Sequence, residues 1–179
     1  MEIIDNRNNL IKKLEKNLKI MEIGIFKGEF SKFIFNEIKP SELHLVDLFE
    51  GNMCSGDKDG NNIIWVDLSQ EYDSLTSYFQ NDKNVFLYKG FSYNILSKFD
   101  NEYFDMVYID GDHSYEGVKK DLNISFDKVK SGGYICGHDY TIHMFEGVVR
   151  AVNEFCLEKG LSIKYITNDG CPSYLIVKK

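Results

Sequence analysis

The sequence predicts an α/β fold: a doubly wound, seven-stranded sheet, mostly parallel, that closes with an antiparallel C-terminal hairpin. Short apolar runs alternate with amphipathic helical stripes along the whole chain, the pattern of parallel strands covered by helices on both faces. The first strand enters a glycine turn and then a helix, and acids stand at several strand ends, where sheets of this kind bind their ligands. Only the last two strands are joined by a tight turn, Asn168-Asp169-Gly170, instead of a helix.

Leu10, Ile11, Leu14 and Leu18 line one face of an opening helix, and Lys19 to Ile23 is the first strand. Phe30, Phe33, Ile34 and Ile38 form the next stripe. It stops at Lys39-Pro40, because the residue before a proline disfavours the helical region. Leu43 to Asp47 reads as the second strand and Leu48 to Val66 as a loop. A helix over Tyr72 to Gln80 leads to the third strand, Val85 to Tyr88, and a short helix begins near Tyr93. Phe104 to Asp110 is the fourth strand, apolar enough to be buried on both faces. Val118, Leu122, Phe126 and Val129 place one helix face back on the sheet, and Ser131-Gly132-Gly133 ends that helix. Tyr134 to Gly137 is the fifth strand. A helix over Gly147 to Lys159, closed by Gly160, and strands Leu161 to Ile166 and Tyr174 to Val177 complete the order.

The 179 residues suit one domain around one core. With 43% hydrophobic and 27% charged residues and no apolar run of membrane-spanning length, the composition is that of a soluble protein with no membrane partner. The N-terminus lacks the apolar region and cleavage site of a signal peptide, so a cytoplasmic location is expected. Cys54, Cys136, Cys156 and Cys171 show neither paired spacing nor the density of a disulfide scaffold. A formal charge of −7 disfavours nucleic acid, which needs a basic surface, and favours a small-molecule substrate.

The stretch MEIGIFKGEFS, Met21 to Ser31, runs from strand to glycines to helix. Gly24 and Gly28 let the backbone approach a ligand, and the helix N-terminus supplies free N–H groups. Phe26 stands where a dinucleotide fingerprint has its second glycine, which argues against pyrophosphate and against a nicotinamide-dependent oxidoreductase. Glu22 near the end of the first strand and Asp47 at the end of the second are expected to point into the crevice at the carboxyl edge of the sheet.

Glu22 to Gly28 resembles the E-x-G-x-Y-x-G turn of the catechol and caffeoyl-CoA O-methyltransferases, within the Rossmann-like class I S-adenosylmethionine-dependent methyltransferases. LVDLFEG, YIDGDHSYEGVKKDL, GGYICGHDYT and EGVVRAVNEF resemble, in order, the family of macrolide sugar O-methyltransferases and cephalosporin hydroxylase-like proteins. The resemblance implies that Glu22, Gly24, Phe26 and Gly28 shape the S-adenosylmethionine site, with the glycines flanking its methionine part. It also implies that Asp47 holds the ribose, that Ser92 and Tyr93 border adenine, and that Asp110 adjoins the cofactor. Phe30 departs from the pattern, since the catechol-type enzymes carry a serine there; Ser31 is displaced by one.

Asp110 ends the fourth strand and His138-Asp139 ends the fifth, so their side chains can converge at the crevice mouth as a divalent metal requires. The resemblance implies the same layout, with Asp110, His138 and Asp139 as ligands of Mg or another divalent ion. Imidazole suits Fe, Zn or Ni better than Mg, so either the ion is not strictly Mg or His138 sits beside the site. His113 follows Asp110 by three residues, the offset at which the similar sugar enzymes place a histidine. It is the candidate general base, a neutral imidazole accepting the proton of a substrate hydroxyl. Asp112 and Ser114 read as turn and helix-cap residues.

Ser55 to Asn62 looks superficially like a calcium loop but has Val66 where the bidentate glutamate is needed. Gly51 to Val66 reads instead as a lid carrying Met53 and Trp65. With little chain before the first strand, walls of the acceptor pocket are expected from this lid, from Tyr140 to Glu146, or from a second copy in a homodimer. The expected function is metal-assisted O-methylation of a small molecule or a sugar or glycan hydroxyl. The alternative is a non-catalytic S-adenosylmethionine-binding partner subunit or hydroxylase-like protein of the same fold.

Overall fold

The computed structural model describes residues 1–54 and 63–179, with side chains outside 51–66. Strands run in the order β1 (Glu2–Ile4), β9 (Ile163–Thr167), β10 (Tyr174–Val177), β8 (Val129–Gly137), β7 (Phe104–Ile109), β2 (Lys19–Ile23), β3 (Glu42–Asp47) and β6 (Val85–Lys89). Every pairing in this sheet is parallel except those of β10 with β8 and β9. The doubly wound sheet and its antiparallel hairpin are therefore as the sequence predicts.

Alternation along β2 explains the two layers. Ile20 packs in a core with α1 (Arg7–Lys12), α2 (Glu29–Ile38) and α3 (Ser69–Tyr78), through Leu10, Ile11, Ile34 and Leu75. Its neighbours Met21 and Ile23 face the opposite core, with α4 (Ser92–Leu96), α5 (Tyr115–Lys128) and α6 (Glu146–Lys159), through Leu96, Leu122 and Phe155. Successive strand residues point to opposite faces, so one apolar run serves both layers. Each fully buried large apolar side chain contributes roughly 1.5–3 kcal/mol.

Four elements differ from the sequence expectation: β8 starts at Val129 and takes in Ser131-Gly132-Gly133, where the end of a helix was expected, and three others follow. The sheet has an eighth strand, β1, whose three residues are too few to show a pattern and whose partner, β9, lies at the far end of the chain. The segment read as a loop contains β4 (Glu50–Cys54) and β5 (Ile63–Asp67), an antiparallel pair running from Glu50 opposite Asp67 to Cys54 opposite Ile63. The run Ile63-Ile64-Trp65-Val66 carried that signal, and its polar partner strand hid it. The calcium-loop comparison at 55–62 and the lid side chains Met53 and Trp65 lie outside the described residues. The opening helix ends at Lys12, leaving Leu18 outside it, where Leu18 packs on the core.

No helix among the described residues is long and apolar enough to cross a membrane. Cys136 is fully buried, and burial drives its thiol pKa far up, so it packs as a small apolar group.

Gly24 fixes how closely β2 and β7 end together. Its φ is +81°, and a Cβ there would stand 2.0 Å from the Asp110 carbonyl oxygen, which is rigid backbone. Gly24→Ala combines that overlap with a left-handed conformation, so it should cost at least about 2–4 kcal/mol in urea unfolding. A loss below about 0.5 kcal/mol would show that the turn can move away from Asp110 freely.

Candidate functional site

Four adjacent strands deliver the candidate residues to one edge. The ladder continues past their ends: Gly24 N–H donates to Val46 O at 2.9 Å, Asp110 N–H to Ile23 O at 2.7 Å, and His138 N–H to Ile109 O at 3.0 Å. Asp47, Gly24, Asp110 and His138 thus stand in a row at the ends of β3, β2, β7 and β8. Connections from β2 and β7 lead outward in opposite directions, which makes the gap between them the switch point where such sheets bind ligands.

Asp47 organises the glycine turn. Its Oδ2 accepts from Ile25 N–H at 2.6 Å and Phe26 N–H at 2.9 Å, and its Oδ1 accepts from Phe49 N–H at 2.8 Å. These bonds hold Phe26 at φ 54°, where a non-glycine residue costs about 1–3 kcal/mol. Roughly one of the carboxylate's four acceptor positions stays open for a ligand hydroxyl. Gly28 has φ +75° and lies against Leu75, where a Cβ would come within 2.3 Å.

Glu22 is 1% exposed, so it does not project into the crevice as its sequence position suggests. Its place within the strand, one residue before the end, turns it toward the α2 layer. Burial raises its pKa to about 8. The Ser31 hydroxyl lies near enough to ease that shift, yet neither Ser31 Oγ nor Glu22 Oε2 completes a hydrogen bond. Asp110 and Asp47 oppose its charge, whereas Arg7 favours it.

The acids and imidazoles do converge. Asp139 is held at φ 58° and 5% exposed, which turns its carboxylate back over the edge. His113 Nε2 lies 2.9 Å from Asp139 Oδ2 and 3.7 Å from Asp110 Oδ1. Despite the short distance the nitrogen is buried without hydrogen-bond geometry, so its lone position faces the carboxylates off-axis. Donor atoms of Asp110, His113 and Asp139 all lie within 4.8 Å of one another. His138 Nδ1 approaches Asp110 Oδ1 at 3.5 Å and Asp139 Oδ1 at 3.3 Å.

Burial works against charge on His113, but Asp110 and Asp139 outweigh it and push the pKa up to about 10. His138 responds in the same way, to about 9. Burial would raise Asp139, but the two imidazoles hold its carboxyl well below the ordinary range. Two carboxylates face His113 in this arrangement and favour its charged form over the neutral imidazole expected from sequence. The Phe145 ring packs on His113 at 4.6 Å and fixes its orientation.

Ser92 and Tyr93 begin α4. The Ser92 hydroxyl donates to Asp121 Oδ1 at 2.5 Å, and Asp121, raised to about 6 by burial, is tied to it. Lys120 Nζ stands 3.1 Å over the Tyr93 ring, which also stacks with Phe91. Phe91, 50% exposed, is the open aromatic face of this wall and was not singled out from sequence. Arg7 was missed as well. Its guanidinium reaches Asp110 Oδ2 at 3.4 Å and covers the Phe30 ring at 4.3 Å. The only available signal was that Arg7 and Arg150 are the two arginines among 21 basic residues.

Comparison with known proteins adds the following. The family model described as a methyltransferase domain matches residues 21–140, from β2 to just beyond β8. Uncharacterized protein R132 of Acanthamoeba polyphaga mimivirus is 28% identical over 158 residues, covering 85% of this chain. The chain spans 64% of that relative's length. Among solved structures, Aeropyrum pernix fibrillarin with natively bound S-adenosyl-L-methionine is similar at a TM-score of 0.64 and 17% identity, over 95% of this chain and 73% of that one. SMU.1697c of Streptococcus mutans, in complex with SAH, gives 0.65 and 13% over 96% and 95%. Precorrin-6y C5,15-methyltransferase of Geobacter metallireducens gives 0.62 and 17% over 94% and 83%. At these identities the structural likeness concerns the fold.

The buried Glu22 makes stability depend on pH. Between its ordinary value of 4.5 and about 8, the folded protein holds a proton that the unfolded chain releases. Its contribution should therefore fall by about 1.4 kcal/mol for each unit of rising pH. Glu22→Gln removes this slope. Urea unfolding of both proteins from pH 5 to pH 8 should show the variant gaining steadily on the wild type; parallel curves would mean that Glu22 is ionised in the fold.

Proposed function

Because the chain belongs to the methyltransferase-domain family, we propose that it transfers the methyl group of S-adenosylmethionine to a hydroxyl of a small molecule or sugar, with a divalent cation held at Asp110 and Asp139. The observation that carries this reading is the convergence of Asp110, His113 and Asp139 beside the Gly24 turn. The donor set fits a cation, for two carboxylates converge there with the His138 Nδ1 nitrogen 3.5 and 3.3 Å from them. Mixed oxygen and nitrogen ligands suit Mn, Fe, Ni or Zn as well as Mg. When bound, such an ion stabilises negative charge on the acceptor oxygen.

The chain's own groups supply the remaining work. Gly24 and the Asp47-braced turn support the cofactor, the remaining acceptor position of Asp47 takes a ribose hydroxyl, and Phe91 with Ser92 and Tyr93 borders adenine. With a cation held at Asp110 and Asp139, His113 would release its own proton to solvent and, as the neutral imidazole, accept the proton of the acceptor hydroxyl. Bound S-adenosylmethionine would supply an electrophilic methyl on its sulfonium, which would leave as a neutral thioether when an oxyanion acceptor took the methyl. Excluding water favours that step when the geometry is held. The exposed Ile142 and Met144, which follow Asp139 in the chain, offer an apolar wall for the acceptor. The acidic net charge favours a small acceptor over nucleic acid, and a second copy can complete the pocket.

One observation favours a second reading, a non-catalytic cofactor-binding subunit. Arg7, His113 and His138 already balance Asp110 and Asp139 without any ion. Turnover separates the two. Methyl transfer to a panel of diols and glycosides should stop on chelation and return with a divalent ion, and Asp139→Asn should lose at least about 100-fold. Full turnover of Asp110→Asn in chelator would remove the cation from the mechanism. His113→Ala should lower kcat by about 10²–10⁴ while metal affinity holds; a parallel loss of metal affinity would make His113 a ligand instead of the base.

A further inference from the structure

We propose that Arg7 binds the α-carboxylate at the methionine end of S-adenosylmethionine, which makes the N-terminal arm β1–α1 part of the cofactor site. This deepens the proposed function and rests on its cofactor lying over the Gly24 turn.

The amino-acid end of that cofactor carries an ammonium and a carboxylate. Asp110, whose backbone adjoins the turn, supplies negative charge for the first. The second needs a donor, and the turn offers few. Phe30 stands where the similar catechol-type enzymes have a serine, and Ser31 Oγ is fully buried without a partner. In place of that hydroxyl, the ring of Phe30 carries the Arg7 guanidinium 4.3 Å from its centre. A flat cation stacked on a ring keeps its in-plane N–H groups free for a planar carboxylate.

Arg7 is placed there by the fold. β1 pairs in parallel with β9, Asn168 N–H donates to Ile4 O at 2.9 Å, and Asn6 caps α1 by accepting from Asn9 N–H at 3.0 Å. Leu10 and Ile11 are completely buried behind it. The arm is therefore anchored on both sides of Arg7. Its guanidinium has five donors, and the single bond to Asp110 at 3.4 Å is long for a charge-assisted contact. That loose pairing leaves the fork able to turn to a carboxylate. Lysine supplies nearly all basic positions of this chain, so an arginine here is consistent with a site that needs the planar fork.

The test compares two ligands by calorimetry: S-adenosylhomocysteine, and 5′-methylthioadenosine, which keeps the nucleoside and sulfur but lacks the amino-acid end. Arg7→Gln should bind S-adenosylhomocysteine about 10- to 100-fold more weakly, the worth of a hydrogen bond to a charged group. Its affinity for 5′-methylthioadenosine should not change, which also reports that the variant folds. Arg7→Lys should fall between wild type and Arg7→Gln for S-adenosylhomocysteine alone. Equal losses for both ligands would make Arg7 structural, and unchanged S-adenosylhomocysteine binding would exclude it from the cofactor site; either overturns the assignment. If the wild-type chain binds neither ligand, the cofactor reading itself fails, and the role of Arg7 with it.

Discussion

The site depends on one close approach, that of the Gly24 backbone to the carbonyl of Asp110. A side chain at Gly24 would have to occupy space 2.0 Å from that oxygen. Glycine lets the turn after β2 lie directly against the end of β7, so the turn proposed to support a cofactor and the acid proposed to face an acceptor belong to one rigid unit. Methyl transfer needs donor and acceptor in line at short range, and small misplacements are costly. Joining the two sites through backbone, instead of through long side chains, meets that demand.

Electrostatic balance at the same edge is a second constraint. Asp110 and Asp139 are brought together by neighbouring strands, and they would repel if left alone. His113, His138 and Arg7 surround them, each within 3.7 Å of at least one carboxylate oxygen. Imidazoles and a loosely paired guanidinium thus compensate the two carboxylates at the positions where the proposed cation and ligand would bind. The left-handed backbone at Asp139 and Phe26 falls at this edge, where strain is retained because the surrounding hydrogen bonds enforce it.

Much of this was legible beforehand. The resemblance to class I methyltransferases, read from four ordered motifs, is borne out at the level of the family. The strand ends at Asp47, Asp110 and His138-Asp139 were located because acids at or just after the end of apolar runs are a local signal. Harder features were those whose partners lie far away in sequence. β1 gains meaning only beside β9, β4 only beside β5, and Arg7 only beside Phe30 and Asp110. Glu22 was expected to face the crevice, but it is buried under the α2 layer packed over it, which no single stretch encodes.

The sequence by itself determined the α/β alternation, the antiparallel end and the chemistry available at the carboxyl edge, because periodicity and turn residues act over a few neighbouring positions. Tertiary structure alone decided which of those groups touch and in what protonation state. A histidine between two carboxylates at 2.9 and 3.7 Å is pushed toward its charged form, while the same histidine on an open turn is mostly neutral. Charge interactions depend on distance through space and on burial, and neither is written in the order of the residues.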